Sequence, residues 1–438
     1  MKSTKLIFFL IFLPAVMQAQ ETVSMLDSLF QTMHQRNQFN GNVLIAEQGE
    51  VIYQKSLGYA NREKQKPLKR NSLFNTGSVS KAFTAIAIQQ LAENDKLRIT
   101  AKAQKYLPAF PYESVTIHHL LIHASGLPWE NQMPEGWNNS KIATNKDVLK
   151  NLYYKKPELE FTPGEQAKYS NLGYMVLAEI VENVSGEGFE TYLQNHIFDP
   201  AGMTRTAIYN AEEIKEVENV AKGYLFYPFT GQYEEAITVD EFSSNYAISG
   251  LHGDGNVYST IEDLFSFCKA LKNEKLITKA SLEKALEKHI STGDQYGNSF
   301  GYGWTISGAP GKLVQRGGEL PGYVSDIIWD VKNDKLLIYL MNDYLSYLSY
   351  NRQIFPAYAG IVYSNNLKIP KLKASIELSK IAVTSSLEEM KSKIEEIKNN
   401  PEVYQADIGG LKFLVKKLQD LGKKEKAGLM MRMFGPGR

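Results

Sequence analysis

The chain has 438 residues, enough to bury one large core with an appendage, or two smaller cores. Its 49 lysines and arginines are offset by 48 aspartates and glutamates, a net charge of +1, so no basic excess points to a nucleic-acid partner. A single cysteine, Cys268, excludes an internal disulfide and leaves stability to the apolar core.

Met1 to Gln20 read as a secretory signal: Lys2 and Lys5 form the basic start, Leu6 to Val16 the apolar centre, and Ala19 the small residue at the cut, giving a leader over 1–19. The apolar run is too short to span a bilayer, so the expectation is an exported chain, periplasmic or extracellular, with no transmembrane segment after signal removal. No cysteine follows the leader, which excludes a lipid attached at a cysteine near the new N-terminus. An amphipathic helix is predicted over Val23 to Arg36. A β-hairpin follows, with Gly41 to Glu47 and Val51 to Gly58 turning at Gln48-Gly49-Glu50, and then a polar loop from Asn61 to Asn71.

Phe74-Asn75-Thr76-Gly77-Ser78-Val79-Ser80-Lys81 runs into the apolar segment Ala82 to Leu91, so Ser78 is predicted at a helix N-terminus. Residues three apart on a helix share a face, which brings the Lys81 ammonium within reach of the Ser78 hydroxyl. A serine becomes a good nucleophile when a neighbouring base takes its proton, and the amide groups at a helix start favour an oxyanion. The bland reading of a bare Ser-x-x-Lys is a helix cap followed by a surface lysine; the later motifs are what outweigh it.

Leu120 to Pro128 is predicted as the end of a short helix that stops at Gly126. His118, His119 and His123 resemble a metal cluster, yet neighbouring histidines on a helix point apart and no carboxylate or cysteine completes a ligand set, so no metal or other cofactor is expected. Phe161 to Glu165 is a turn. Tyr169-Ser170-Asn171 opens a second apolar helix, Leu172 to Val184, closed near Gly186. Cys268 falls in a helical pattern over Ile261 to Leu271, where a small buried hydrophobe is expected, and Ser259-Thr260-Ile261-Glu262 reads as the capping box at its start. Gly303 to Ser307, Lys312 to Arg316, Tyr323 to Asp330 and Lys335 to Asn342 are β-rich. Beyond Pro370 the chain turns lysine- and glutamate-rich, with a helix from Ser385-Ser386-Leu387-Glu388 to about Asn399.

Strands at both ends with helices between them imply an α+β fold: an antiparallel sheet from N- and C-terminal segments, flanked by helices, with an inserted mainly helical region. The expected division is a leader over 1–19, a main domain over 20–365 and a helical charged appendage over 366–438.

A serine relay needs a second proton carrier for the leaving group, and Tyr169 is a suitable one, with Asn171 two residues on to hold a substrate amide. Ser78-Val79-Ser80-Lys81, Tyr169-Ser170-Asn171 and Arg316-Gly317-Gly318, in that order, resemble the penicillin-recognising serine hydrolases, in the branch of class C β-lactamases, D-Ala-D-Ala carboxypeptidases, D-aminopeptidases and related esterases. Leu120 to Pro128, Gly318 to Tyr323 and the stretch from Gly253-Asp254-Gly255 through Ser259-Thr260 to Asp263 support it, and together the matches cover roughly residues 25 to 365.

The resemblance implies that Ser78 is acylated, that Lys81 and Tyr169 share the base and acid roles, that Asn171 orients substrate, and that the backbone N–H groups of Ser78 and Glu319 form the oxyanion hole. It leaves open which of Lys81 and Tyr169 takes the serine proton. Arg316 departs from the lysine or histidine usual at the third motif. A guanidinium stays cationic, so it keeps the field on Lys81 and Tyr169 and offers a fork to a substrate carboxylate beside Gly318; the plainer alternative is a solvent-facing strand arginine.

The expected activity is therefore hydrolysis of a D-amino-acid peptide, β-lactam or ester, with a small molecule or peptide as substrate, no nucleic acid as partner and the oligomeric state left open. The competing reading is a penicillin-binding or sensor protein with little turnover that acts through its C-terminal appendage. An α/β-hydrolase is excluded because no Gly-x-Ser-x-Gly elbow lies between a strand and a helix. Loops at Trp129 to Trp137 and Phe226 to Tyr233 are expected to shape the substrate site.

Overall fold

The computed structural model describes residues 4–128, 133–227, 232–239, 244–308, 313–344 and 349–434, with side chains from residue 18 onward except that of Met433. Met1 to Ser3, the side chains of most of the expected leader, Lys312, and the tips of the two expected substrate loops, 129–132 and 228–231, lie outside the described residues. The chain forms two compact units, one of residues 41–222 and 237–342, the other of 1–40, 223–236 and 343–438.

The first unit is built on an eight-stranded antiparallel sheet. Its spatial order is Ile290–Ser291, Ser299–Phe300, Thr305–Ile306, Leu313–Leu320, Tyr323–Asp330, Lys335–Met341, Gly41–Glu47 and Glu50–Leu57. The N-terminal hairpin thus completes a sheet whose other strands come from the end of the unit, and Gly41 pairs with Met341 and Glu47 with Lys335. Strands 41–47, 323–330 and 335–341 are buried on both faces, which is why they read as apolar runs rather than as an alternation. Between the two halves of the sheet the chain is mainly helical, and the helix Ser80–Glu93 lies in the centre, with every residue from Ser80 to Leu91 buried. Its polar residues, Ser80, Lys81 and Thr84 among them, are buried as well, so the segment has no exposed polar face from which a period could be read.

Several local expectations shift. The short helix is Ile117–Leu121 and stops before Gly126, because His123 adopts a left-handed backbone with φ +57°. The expected strand Gly303 to Ser307 is confined to Thr305–Ile306, and the expected Lys312 to Arg316 runs on to Leu320. The cap of helix Ile261–Lys272 is Thr260, which accepts from the Asp263 amide, while Ser259 is turned to Thr206; the capping frame is one residue later than read from Ser259. Cys268 in that helix is buried, and burial pushes its thiol up to about 12.

In the second unit, the helix Thr4–Gln35 joins the expected leader and the amphipathic helix into one element. The C-terminal helices Ala374–Ser379, Leu387–Asn399, Ile408–Asp420 and Lys424–Phe434 enclose an apolar cluster of their own that includes Met390, Ile394, Leu414, Leu418 and Met430. The unit holding these helices therefore extends well beyond residues 366–438. Among the described residues, no helix is long and apolar enough to cross a membrane.

Candidate active site

Ser78 lies in a 3₁₀ turn, Gly77–Val79, that feeds the helix Ser80–Glu93, rather than at the first turn of the α-helix itself. The turn is tied down from several directions. Gly77 donates its amide to the Asn75 side chain at 2.9 Å, Ser80 Oγ donates to the Gly77 carbonyl at 2.7 Å, and Ser325 Oγ donates to the Thr76 carbonyl at 2.6 Å. Gly77 itself has φ +51°, a conformation that side-chained residues adopt at a cost. These bonds fix the direction of the Ser78 side chain, which is half-buried.

Lys81, one turn on, is fully buried and points back at the serine. Its ammonium donates to Ser78 Oγ at 3.0 Å and to the Asp254 carbonyl at 2.7 Å. Tyr169 OH donates to the same Ser78 Oγ at 2.8 Å, so lysine and phenol converge on one oxygen. Arg316 lies on strand Leu313–Leu320, buried at 5 % exposure, and its Nη2 donates to Tyr169 OH at 3.1 Å. The other guanidinium bonds go to the carbonyls of Gly303 and Gly317. Its fork is committed to protein acceptors, and the group faces the phenol instead of standing open to solvent.

The electrostatics follow from this packing. Burial alone raises the Tyr169 phenol, but the Lys81 and Arg316 cations, helped by hydrogen bonds, bring it below its ordinary value of 10.0. The phenolate form is thereby brought within easier reach.

Tyr169 is held by the segment that follows and by one that precedes it in sequence. Ser170 caps the helix Asn171–Ser185, accepting from the Gly173 amide at 3.3 Å and donating to the Pro128 carbonyl at 3.0 Å. The imidazole of His123 stacks on the Tyr169 ring, with centroids 4.3 Å apart and planes at 29°, and its Nδ1 accepts from the Ser170 amide at 3.2 Å. Burial, with the Arg316 and Lys81 cations added, holds His123 well below the usual histidine range, so it is a neutral platform. Sequence reasoning weighed His123 as a metal ligand and missed this role; the signal was its place in Leu120 to Pro128. His118 bonds Tyr302 OH at 2.9 Å and His119 closes the cap of its own helix with Thr116, so the three histidines serve three separate ends. Among the described residues no cluster is placed to hold a metal ion.

Asn171 begins the helix two residues after Tyr169, and its Oδ1 is buried with no hydrogen bond among the described residues. Gly318 abuts the serine turn: a Cβ there would come within 2.0 Å of the Thr76 carbonyl oxygen and 2.8 Å of the Ser78 amide nitrogen. A Cβ on Gly77 would in turn stand 3.1 Å from the Glu319 amide nitrogen. The glycines let the two backbones approach until the Ser78 and Glu319 amides share one small region.

A serine contacted by both a lysine and a tyrosine, at the junction of an antiparallel sheet and a buried helix, defines a serine hydrolase of the β-lactamase and transpeptidase type. The chain belongs to the β-lactamase family, whose sequence profile matches residues 26–352. It is 37% identical over 354 residues to penicillin-binding protein 4* of Bacillus subtilis (strain 168), covering 80% of this chain and 78% of that protein. It is 27% identical over 307 residues to a teichoic acid D-alanine hydrolase of Staphylococcus aureus, covering 70% of each. Among solved structures it resembles a penicillin-binding protein from Bacillus halodurans, with a TM-score of 0.65 and 26% identity over 75% of this chain and 99% of that one.

Proposed function

We propose that the protein is an exported hydrolase that cleaves D-alanyl esters or amides through an acyl-enzyme on Ser78, with Tyr169 as the base. The observation that carries this is the convergence of Tyr169 OH and Lys81 Nζ on Ser78 Oγ, with Arg316 bonded to the same phenol. Two standing cations favour the phenolate, and the phenolate takes the serine proton as Oγ bonds to the acyl carbon. The electron pair of the carbonyl moves to its oxygen, which the Ser78 and Glu319 amides stabilise. When the intermediate collapses, the leaving oxygen or nitrogen takes the proton from Tyr169. Water then repeats the sequence in reverse and frees Ser78.

Asn171 is the substrate-orienting side chain in this reading, its buried Oδ1 having no hydrogen-bond partner among the described residues. Gly318 lets its strand close on the serine turn, so that the following Glu319 amide can act beside the Ser78 amide. Arg316 acts through Tyr169, since its donors are already engaged. The D-alanyl class is supported by the relative whose name specifies a D-alanine hydrolase. Export rests on the leader pattern of Met1 to Gln20.

The test is incubation with a fluorescent penicillin and with a fluorophosphonate, followed by mass mapping of the labelled peptide and turnover of D-alanyl esters. Labelling of Ser78 with steady release of D-alanine is the expected result. A label on any other residue removes the nucleophile assignment, and Ser78 labelling without turnover favours the sensor reading. An intact Met1 on protein recovered from its native host contradicts export.

A further inference from the structure

The charges of the C-terminal helices are unevenly spread. Residues 366–407 hold seven lysines and arginines and seven aspartates and glutamates, whereas residues 408–434 hold seven lysines and arginines against Asp420 and Glu425 alone. The excess thus falls on the last two helices, Ile408–Asp420 and Lys424–Phe434, in a chain whose net charge is only +1. Most of it is unneutralised. Lys380 and Lys393 sit in ion pairs with Glu377 and Glu396, while Lys412, Lys416, Lys423 and Lys424 are exposed and, among the described residues, pair with no carboxylate.

Both helices turn one side to the apolar cluster, the first with Leu411, Leu414 and Leu418, the second with Ala427 and Met430. Asp407, which precedes the first helix, accepts from the Ser375 amide at 3.0 Å, and Lys426 Nζ in the second donates to the Ala382 carbonyl at 2.9 Å. Each helix is therefore fastened by its inner side to residues 374–399, and its outer side is left facing away from them. On the first helix Ile408, Lys412 and Lys416 recur at four-residue spacing, the stripe of one face. On the second, Lys424, Met431 and Arg432 stand seven and eight residues apart, again on one exposed face, and Leu421 and Lys423 lie in the turn between the helices.

Ile408 is 63% exposed, Met431 47% and Leu421 45%. Single exposed apolar residues are ordinary, but these three lie among free cations on two adjoining helices. The stability of the fold asks for neither feature. Like charges four apart, as Lys412 and Lys416 are, weaken a helix, and an apolar side chain left in water gains nothing.

We propose that this outer face is a docking surface for an anionic lipid bilayer, with the lysines at the phosphate headgroups and Ile408, Leu421 and Met431 entering the acyl boundary. The cations supply the attraction at a distance, and each lysine stem covers apolar surface while its head stays among the phosphates. The apolar side chains select the partner: a soluble polyanion takes up charge and leaves them in water, whereas a bilayer accepts both. Nothing in this docking depends on the chemistry at Ser78.

The experiment is cosedimentation of the full chain with vesicles of phosphatidylcholine alone or mixed with phosphatidylglycerol, at low and at high salt. Every variant keeps the apolar leader, so its contribution is common to all. The expected result is binding to the mixed vesicles that exceeds binding to the neutral ones and weakens with salt. Lys412→Glu, Lys416→Glu and Lys423→Glu combined lower that affinity by about fivefold for each lysine reversed. Ile408→Ser with Met431→Ser lowers it several-fold without changing the salt dependence. Thermal melts confirm that each variant is folded, and Lys412→Gln with Lys416→Gln replaces the reversals where they disturb the helix. Equal affinity for neutral and mixed vesicles overturns the proposal, and so does binding that the charge reversals leave unchanged. Charge-dependent binding indifferent to the two serine substitutions overturns it as well, because a bare phosphate surface then suffices. Lysine-dependent binding to long-chain polyphosphate, with no gain on mixed vesicles, assigns the face to a soluble polyanion instead.

Discussion

The active site and the C-terminal helices handle charge in opposite ways. Around Ser78, Lys81 and Arg316 are buried and a phenol lies between them. In residues 374–434 most charges stay at the surface and several pair along the helix at i,i+3, as Lys393 does with Glu396 at 2.8 Å and Lys380 with Glu377, while the buried Lys426 ends on the carbonyls of Ala382 and Ser385. The backbones differ in the same sense. The site uses left-handed residues at Gly77, His123 and Gly253, while the helix Leu387–Asn399 starts from a regular capping box between Ser386 and Glu389. Local rules suffice where the only task is to close an apolar cluster. Where groups must be held away from their preferred ionisation or conformation, the surrounding fold has to impose it.

The sharpest way to break this contrast is to remove the group that the buried charges serve. Ser78→Ala is expected to lower turnover by about 10⁴-fold or more, with the melting temperature nearly unchanged, because one hydroxyl is lost at a turn held by other bonds. Lys81→Met gives a loss of the same order, and the double variant is no slower than either single one if the residues act as a unit. Steady-state kinetics and thermal melts on the three variants read both sides of that claim.

On the C-terminal side the largest effect is apolar. Leu414 is fully buried in its cluster, so Leu414→Ala is expected to destabilise these helices by about 2–5 kcal/mol, read as faster amide hydrogen exchange in residues 374–434. Exchange that stays as slow as in the unmutated chain would mean the cluster is not what holds the helices together.

Arg316→Gln comes next. Removing one of the two cations that lower the Tyr169 phenol raises it, so the phenolate is lost at higher pH and the acid limb of kcat/KM moves upward by about one unit. At pH below that limb, activity falls about tenfold, and Arg316→Lys restores part of it. The sequence suggested a grip on substrate carboxylate through Arg316. With the donors bonded to Tyr169, Gly303 and Gly317, the expectation becomes equal losses for neutral and carboxylate-bearing esters. A selective loss on the carboxylate-bearing substrate would restore the grip.

The smallest effect belongs to the surface pairs. Lys393→Ala is expected to cost only about 0.3–0.5 kcal/mol, measured by denaturant melts, because its partner Glu396 is nearly half exposed and the gain from pairing is screened.

What the sequence revealed follows the same division. The hairpin at Gly41, the strand Tyr323–Asp330, the helix from Leu387 and the left-handed stop at Gly186 were legible because each is specified within a dozen residues by period, cap or turn chemistry. Ser78 and Lys81 were legible as a pair from their three-residue spacing, but the bonds of Tyr169 to Ser78 and of Arg316 to Tyr169 span 91 and 147 residues and no local pattern encodes them. The role of His123 was missed for a physical reason. Periodicity assumes a right-handed helix through to Gly126, and the positive φ at His123 turns the ring out of that frame and under Tyr169.

Cys268 has a practical corollary. The thiol is buried inside an apolar cluster and is pushed up to about 12, so at neutral pH an alkylating reagent finds neither access nor thiolate while the helix Ile261–Lys272 stays packed. As the sole sulfhydryl in the chain, it makes the protein its own stopwatch. The rate at which iodoacetamide is consumed under native conditions counts openings of the central core, without a dye, a tag or an engineered residue.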